Sequence, residues 1–166
     1  MVAVVLGVLV PEAFFVVDET NQAIVTRFNE AQRDMSEPGL YLKTPFIDRV
    51  IYLDKRLLVF DAPPDSLLTK DKKRLIIDVY ARGKIVDPQK FIEEVATETR
   101  GKQRAIEIVS SELRREIGLD NQSEIIEASR EQIMINLREA VRPKLAEFGI
   151  EIQDVRIKRS DFPIEI

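Results

Sequence analysis

The chain has 166 residues, 33% of them charged and 45% hydrophobic, with a formal net charge of −4 and neither Cys nor His. The length suits one large domain or two small subdomains with a sound core, the composition is globular rather than disordered, and the acidic balance argues against nucleic acid as a partner. Lack of Cys and His excludes disulfides, thiol nucleophiles, haem attachment and nearly every zinc site, and removes the side chain that most often moves protons near neutral pH.

The first ten residues, MVAVVLGVLV, carry no charge, and with FFVV at 14–17 the apolar stretch reaches Val17, broken only by Pro11 and Glu12. A bilayer-spanning helix needs about 20 apolar residues. The run is shorter than that, and it lacks the basic start and small-residue cleavage site of a signal peptide. Residues 1–12 are expected to be the trailing half of a membrane anchor, with Val2, Val4, Val5, Leu6, Val8, Leu9 and Val10 in lipid. The abundance of Val leaves a buried first strand as the alternative. From this run to Arg27 there is no Lys or Arg, whereas Glu12, Asp18 and Glu19 are acidic. The positive-inside tendency then puts the body of the protein on the non-cytoplasmic side.

Residues 13–86 read as a β-rich first subdomain. AFFVV (13–17) and AIVTRF (23–28), separated by the polar DETNQ, predict a hairpin. In EPGLYLKTPFIDRV (37–50), Pro38-Gly39 is a turn and Pro45 a strand breaker. VIYLDKRLLVF (50–60) alternates loosely, and DAPPD (61–65) forces an extended bend. SLLT (66–69) and RLIIDVYARGKIV (74–86) flank the turn KDKK. In the second run Leu75, Ile77, Val79, Ala81 and Ile85 share one face, and Arg74, Asp78, Arg82 and Lys84 the other. That period of two predicts a sheet covered on one side, with helices supplying the cover.

Residues 87–166 supply those helices and a last strand. Asp87 before Pro88 is an N-cap with proline at the first helical position. The helix through FIEEVATET is expected to run to Gly101, and a second to place Ile106, Val109, Leu113 and Ile117 on one stripe up to Gly118. After LDNQS come one short helix and one long one, the latter carrying Ile133, Leu137, Val141, Leu145 and Phe148, with a kink at Pro143. Ile150, Ile152, Val155 and Ile157 form the closing strand. A β-bulge at Gln153-Asp154 would bring all four onto one face. The expected class is α+β, a twisted antiparallel sheet followed by helices and a closing strand.

Catalytic patterns are absent. The glycines at 7, 39, 83, 101, 118 and 149 make no phosphate-binding loop, and there is no G-x-S-x-G elbow. Glu112 and Glu116 among Arg114 and Arg115, and Glu93, Glu94 and Glu98 near Arg100 and Lys102, have the spacing of a solvated, ion-paired helix face rather than of a glycosidase pair. No catalytic, cofactor-binding or metal-binding residue is therefore named. Arg156, Lys158 and Arg159 form a basic patch suited to lipid headgroups or an acidic partner, or else a charged edge strand that discourages stray pairing. Lys70, Lys72, Lys73 and Arg74 read as a solvated hairpin tip, and Asn121-Gln122-Ser123 matches a glycosylation sequon. Tyr41, Phe46 and Tyr52 are expected to pack in the core, with membrane or partner contact by Phe14, Phe15, Pro45 and Phe46 as the functional alternative.

Several segments resemble one family. FFVVDETNQAIVTRF is similar to the first hairpin after the membrane anchor in the SPFH, or band-7, superfamily of stomatins, prohibitins and flotillins. EPGLYLKTPFIDRV is similar to its PGLHFKxPFI segment, LLTKDKKRLIIDVYARGKIVDP to its central hairpin, and SSELRREIGL and GIEIQDVRIKRSDFP to its later helix and closing strand. Ser160 stands where many relatives carry an apolar residue. Within the superfamily the likeness points to the HflC group, subunits of a bacterial assembly around the membrane AAA+ protease FtsH. The resemblance implies a non-enzymatic scaffold without cofactor or small-molecule substrate. It implies a single-pass anchor in the inner membrane, a periplasmic body, and partners that are membrane lipid, an HflK-like paralogue or further copies, and an FtsH-like protease. A stomatin-like or prohibitin-like lipid-organising scaffold with another partner keeps the same fold. A monomeric lipid-binding module, and a soluble hydrolase with two convergent acids of unlike environment, are the rival classes.

Overall fold

The computed structural model describes residues 12–28, 30–119 and 130–161. Among the described residues, nine strands and three helices follow in order: β1 (Phe14–Val17), β2 (Asn21–Arg27), β3 (Glu30–Met35), β4 (Gly39–Leu42), β5 (Asp48–Asp54), β6 (Leu58–Asp61), β7 (Asp65–Leu68), β8 (Arg74–Ile85), α1 (Pro88–Val95), α2 (Glu98–Ile117), α3 (Arg130–Ala146) and β9 (Ile150–Asp161). All strand pairings are antiparallel, and the class is α+β.

The alternation in β8 organises the larger sheet. Its odd-numbered residues from Leu75 to Ile85 are buried, and its even-numbered ones are partly exposed. One edge of β8 pairs with β7 and β6 in turn, and the other with β9 along its length. Asp154 stands opposite Arg82 and Ile152 opposite Gly83, which leaves Gln153 as an extra residue. This is the expected bulge, and it brings Ile152 and Val155 to the same buried face. A second bulge at Lys158, between Ile157 opposite Val79 and Arg159 opposite Asp78, was not foreseen.

Helices α2 and α3 cover the apolar face. Ala105, Val109, Leu113 and Ile117 of α2 meet Ile133, Leu137, Val141 and Leu145 of α3 in the main core, each large side chain contributing roughly 1.5–3 kcal/mol through removal from water. Helix α3 continues through Pro143 to Ala146. There the proline forgoes only one bond, in the last turn. Asp87 caps α1 by accepting from the Lys90 amide, with Pro88 in the first turn. Gly149 lies at φ 69°, and a Cβ there would sit 2.4 Å from the Asp87 carbonyl oxygen. Its own carbonyl accepts from the Val86 and Asp87 amides, which ties the start of β9 to the end of β8.

The front of the chain forms two smaller sheets. β2 lies between β3 and β5. Ile24 packs into the main core, whereas Ala23 and Val25 pack with Phe15, Val17 and Met35 in a second, small core. A strand buried on both faces needs an uninterrupted apolar run, and this explains AIV at 23–25.

Several expectations are corrected. β1 pairs with β4, and β2 with β3 and β5, so residues 13–28 do not form a hairpin. The first helix stops at Val95, because Ala96 turns left-handed at φ 65° and Thr97 caps a new helix by accepting from the Arg100 amide. Gly101 lies inside α2, where an added Cβ would come 2.4 Å from the Phe91 ring. Glu112 is buried at the α2–α3 contact beside Lys144 and Arg115 instead of lying on a solvated face. Tyr52 and Phe46 point to solvent, and only Tyr41 of the aromatic trio packs inward. Strand β8 pairs with β9 across the expected division at residue 86, and the change of sheet falls between β5 and β6; neither observation tests that division. The sequon at 121–123 lies outside the described residues.

Candidate functional site

The β1–β4 ribbon is apolar on both faces. Phe14 pairs with Leu42, and Val16 with Leu40. Period-two geometry puts these four on one face, and they are 43–66% exposed. The opposite face carries Phe15 and Val17 into the small core, where Tyr41 stacks on Phe15 at 5.8 Å. An outward apolar face on a two-stranded ribbon is unfavourable in water and marks a surface that meets something else.

The same apolar character continues onto two tight turns. Phe28 follows β2 and Phe46 precedes β5, and the pairing of Arg27 with Asp48 brings both turns to one end of the sheet. Phe28 is 86% exposed at φ 51°, and Phe46 is 78% exposed at φ 64°. Left-handed backbone costs a residue with a Cβ roughly 1–2 kcal/mol. Two bulky aromatics therefore occupy strained positions while facing solvent. Ile47, next to Phe46, is also exposed.

A polar brace holds the second turn. Arg27 Nε donates to Asp48 Oδ1 at 2.8 Å, and Arg27 Nη2 donates to Asp48 Oδ2 at 3.3 Å and to Thr44 Oγ1 at 3.1 Å. The Thr44 amide donates to Asp48 Oδ2 at 2.8 Å, and the Asp48 amide returns a bond to the Thr44 carbonyl at 3.0 Å. The Arg27 hydrogen bonds, followed by the Thr44 amide, hold the Asp48 carboxyl well below the usual carboxylate range. Arg27 is raised in return. The brace thus stays charged across the neutral range and fixes the loop that presents Phe46.

Of the residues singled out from the sequence, Phe14 and Phe46 lie on this exposed surface and Pro45 is half-buried beside it. Phe15 is corrected to a core residue, its side chain turned inward by strand alternation. Val2, Val4, Val5, Leu6, Val8, Leu9 and Val10 lie outside the described residues. Arg156 and Lys158 belong to another surface, the outer face of the large sheet, where both are paired with acids. Arg156 Nε and Arg82 Nη2 donate to Asp154 Oδ2 at 2.9 and 2.8 Å. Partial burial pushes the Asp154 carboxyl up, but those arginine bonds outweigh it and hold it below its ordinary value. Lys158 Nζ meets Asp61 at 2.5 Å and Asp78 at 3.6 Å, and lies 5.7 Å from the Tyr80 ring centre. Arg159 stands opposite Asp78 in the strand register.

Sequence reasoning missed Val16, Leu40, Leu42, Phe28 and Ile47. The signal available was FFVV and GLYL, each apolar at both parities where a half-buried strand would alternate. Among the described residues, no group of three or more acidic side chains converges to hold a metal ion, and no helix is long and apolar enough to cross a membrane.

The fold is an antiparallel sheet with an apolar, aromatic end, joined to a second sheet covered by helices. The chain belongs to the SPFH domain / Band 7 family, which it matches over residues 15–166. It is similar to Protein HflC of Haemophilus influenzae, at 33% identity over 98% of this chain and 59% of the relative. It is likewise similar to Protein HflC of Buchnera aphidicola from Acyrthosiphon pisum, at 30% over 98% and 59%, and to the Escherichia coli K12 protein named Modulator of FtsH protease HflC, at 29% over 100% and 64%. The chain spans about three fifths of the length of these relatives.

Proposed function

We propose that this chain is the membrane-apposed module of an oligomeric scaffold that modulates an FtsH-like AAA+ protease. Residues 2–10 hold it in the inner membrane as part of a single-pass anchor, and the body lies on the periplasmic side. The partners are lipid, further copies or an HflK-like paralogue, and the protease. The observation that carries this reading is the outward face of Phe14, Val16, Leu40 and Leu42, continued by Phe28 and Phe46. It begins at Phe14, four positions after Val10, the last residue of the apolar N-terminal run. Similarity to a modulator of FtsH supports the choice of protease. No bond is made or broken by the module; its work is to occupy membrane and to restrict access.

The test is expression of the protein as its cell encodes it, together with an FtsH-class protease and an HflK-like paralogue. The expected result is co-purification from solubilised membranes as a particle of many subunits, with altered degradation of a membrane substrate. A water-soluble monomer that leaves proteolysis unchanged overturns the proposal.

A further inference from the structure

We infer that the apolar end of the β2–β5 pair holds the phosphate of an anionic phospholipid headgroup, with Arg49 as its ligand. The inference rests on the membrane-apposed reading above and adds to it the class of lipid. Thr26 and Arg49 are direct cross-strand partners and share a face. A cavity of about 370 Å³ is lined by Thr26, Phe28, Phe46, Ile47 and Arg49. A second, of about 540 Å³, shares Phe46, Ile47 and Arg49 with the first and adds Phe14 and Lys43. Phe46 and Ile47 thus border both hollows, and Arg49 serves each of them.

The charges around these hollows cancel in pairs, with one left over. Asp48 is matched by Arg27 at 2.8 Å and Glu12 by Lys43 at 3.6 Å. Arg49, exposed, has no acidic partner among the described residues. Its guanidinium offers up to five donors in a fork that matches phosphate oxygens. The walls beside it are aromatic and aliphatic, which suits an amphiphile whose phosphate meets the arginine while its chains run along Phe28, Phe46 and Ile47. A free anion would gain nothing from those walls. The far hairpin tip of Lys70, Lys72 and Lys73 has charge but no aromatic side chain beside it, only the exposed Leu68, and serves as the internal control. It lies one length of β8, about 36 Å at 3.3 Å per residue, from the point where Gln22 Nε2 donates to the Ile85 carbonyl and joins the two sheets.

The experiment measures partition of the purified chain onto vesicles of phosphatidylcholine alone, or of phosphatidylcholine mixed with phosphatidylglycerol, at physiological salt. The expected result is tighter binding to the mixed vesicles. Arg49→Gln removes about fivefold of that binding, the effect of one basic residue at an anionic surface, and weakens binding to phosphatidylcholine by less, because choline offsets the charge of its phosphate. Arg49→Lys retains part of the gain, and Lys72→Gln all of it. Equal losses for Arg49→Gln and Lys72→Gln, or no loss for Arg49→Gln, overturn the headgroup site while leaving membrane apposition standing. Saturable shifts of the Arg49 Nε resonance by inorganic phosphate without vesicles, at the affinity seen with lipid, assign the site to free phosphate and overturn the lipid. Failure to bind either vesicle overturns the membrane reading and this inference together. Unchanged circular dichroism of each variant separates these outcomes from misfolding.

Discussion

Replacing Phe46 with Asn should separate folding from membrane contact. Phe46 is 78% exposed at φ 64°. Of a ring side chain burying about 200 Å², only about 40 Å² leaves water on folding, or roughly 1 kcal/mol at 25 cal/mol per Å². Asn tolerates left-handed backbone far better than Phe, and this returns much of the roughly 1–2 kcal/mol of strain. The two terms nearly cancel, with a small surplus for Asn of about 0–1 kcal/mol. The melting temperature should therefore hold or rise by about 0–4 °C for a domain of this size. A core phenylalanine would lose about 3–5 kcal/mol on truncation. The membrane side of the comparison is larger. If half of the remaining 160 Å² or so enters the headgroup region, roughly 2 kcal/mol of binding is lost, about thirtyfold in partition. Thermal denaturation by circular dichroism and vesicle co-sedimentation read the two quantities. A fall in melting temperature of more than about 6 °C would make Phe46 part of a core, and an unchanged partition coefficient would show that its ring does not enter the membrane.

Other substitutions test the remaining parts. Gly101→Ala should destabilise by about 1 kcal/mol, because crowding of the buried Phe91 ring at about 1–3 kcal/mol outweighs the roughly 1 kcal/mol of helix propensity gained; in a Phe91→Leu background the sign should reverse, as read by urea unfolding. Asp48→Asn should lower the melting temperature at pH 7. A depressed carboxyl contributes stability that is fully present above the unfolded value near 4 and lost as pH falls through its folded value, so the gap between variant and wild type should narrow as the pH is taken below about 4. Leu40→Ser with Leu42→Ser should leave stability within about 0.5 kcal/mol, as expected of exposed positions, yet weaken vesicle binding; a large loss of stability instead would make the ribbon face part of a core.

Features written in neighbouring residues were legible in the sequence, and those set by distant pairing were not. The strict alternation from Leu75 to Ile85, the Asp87-Pro88 cap and the parity change that demands a bulge at Gln153 are all local, and all are seen. Strand β3, EAQRDM, has no apolar period because it is an edge strand with mostly exposed side chains, so it escaped notice. The partner of β1 is a strand more than twenty residues away, and nothing in DETNQ excludes the hairpin that does not form. Ala96 and Thr97 break a helix through backbone geometry and a single hydroxyl, a weak signal inside a run of helix formers. At the candidate site, Phe46 beside Pro45 could be picked out as a loop aromatic. Phe15 could not be assigned a side, since FFVV is apolar at both parities and only the pairing with β4 decides which residues face the small core.

The absence of Cys allows a direct measurement of which end meets lipid. A single nitroxide is attached at Leu40→Cys in one sample and at Lys72→Cys in another, and the chain is bound to vesicles containing phosphatidylglycerol. The label at position 40 should collide with lipid-dissolved oxygen and be shielded from an aqueous nickel complex, with the reverse at position 72. Equal access of nickel to both labels on fully bound protein would rule out apposition of the ribbon face to lipid.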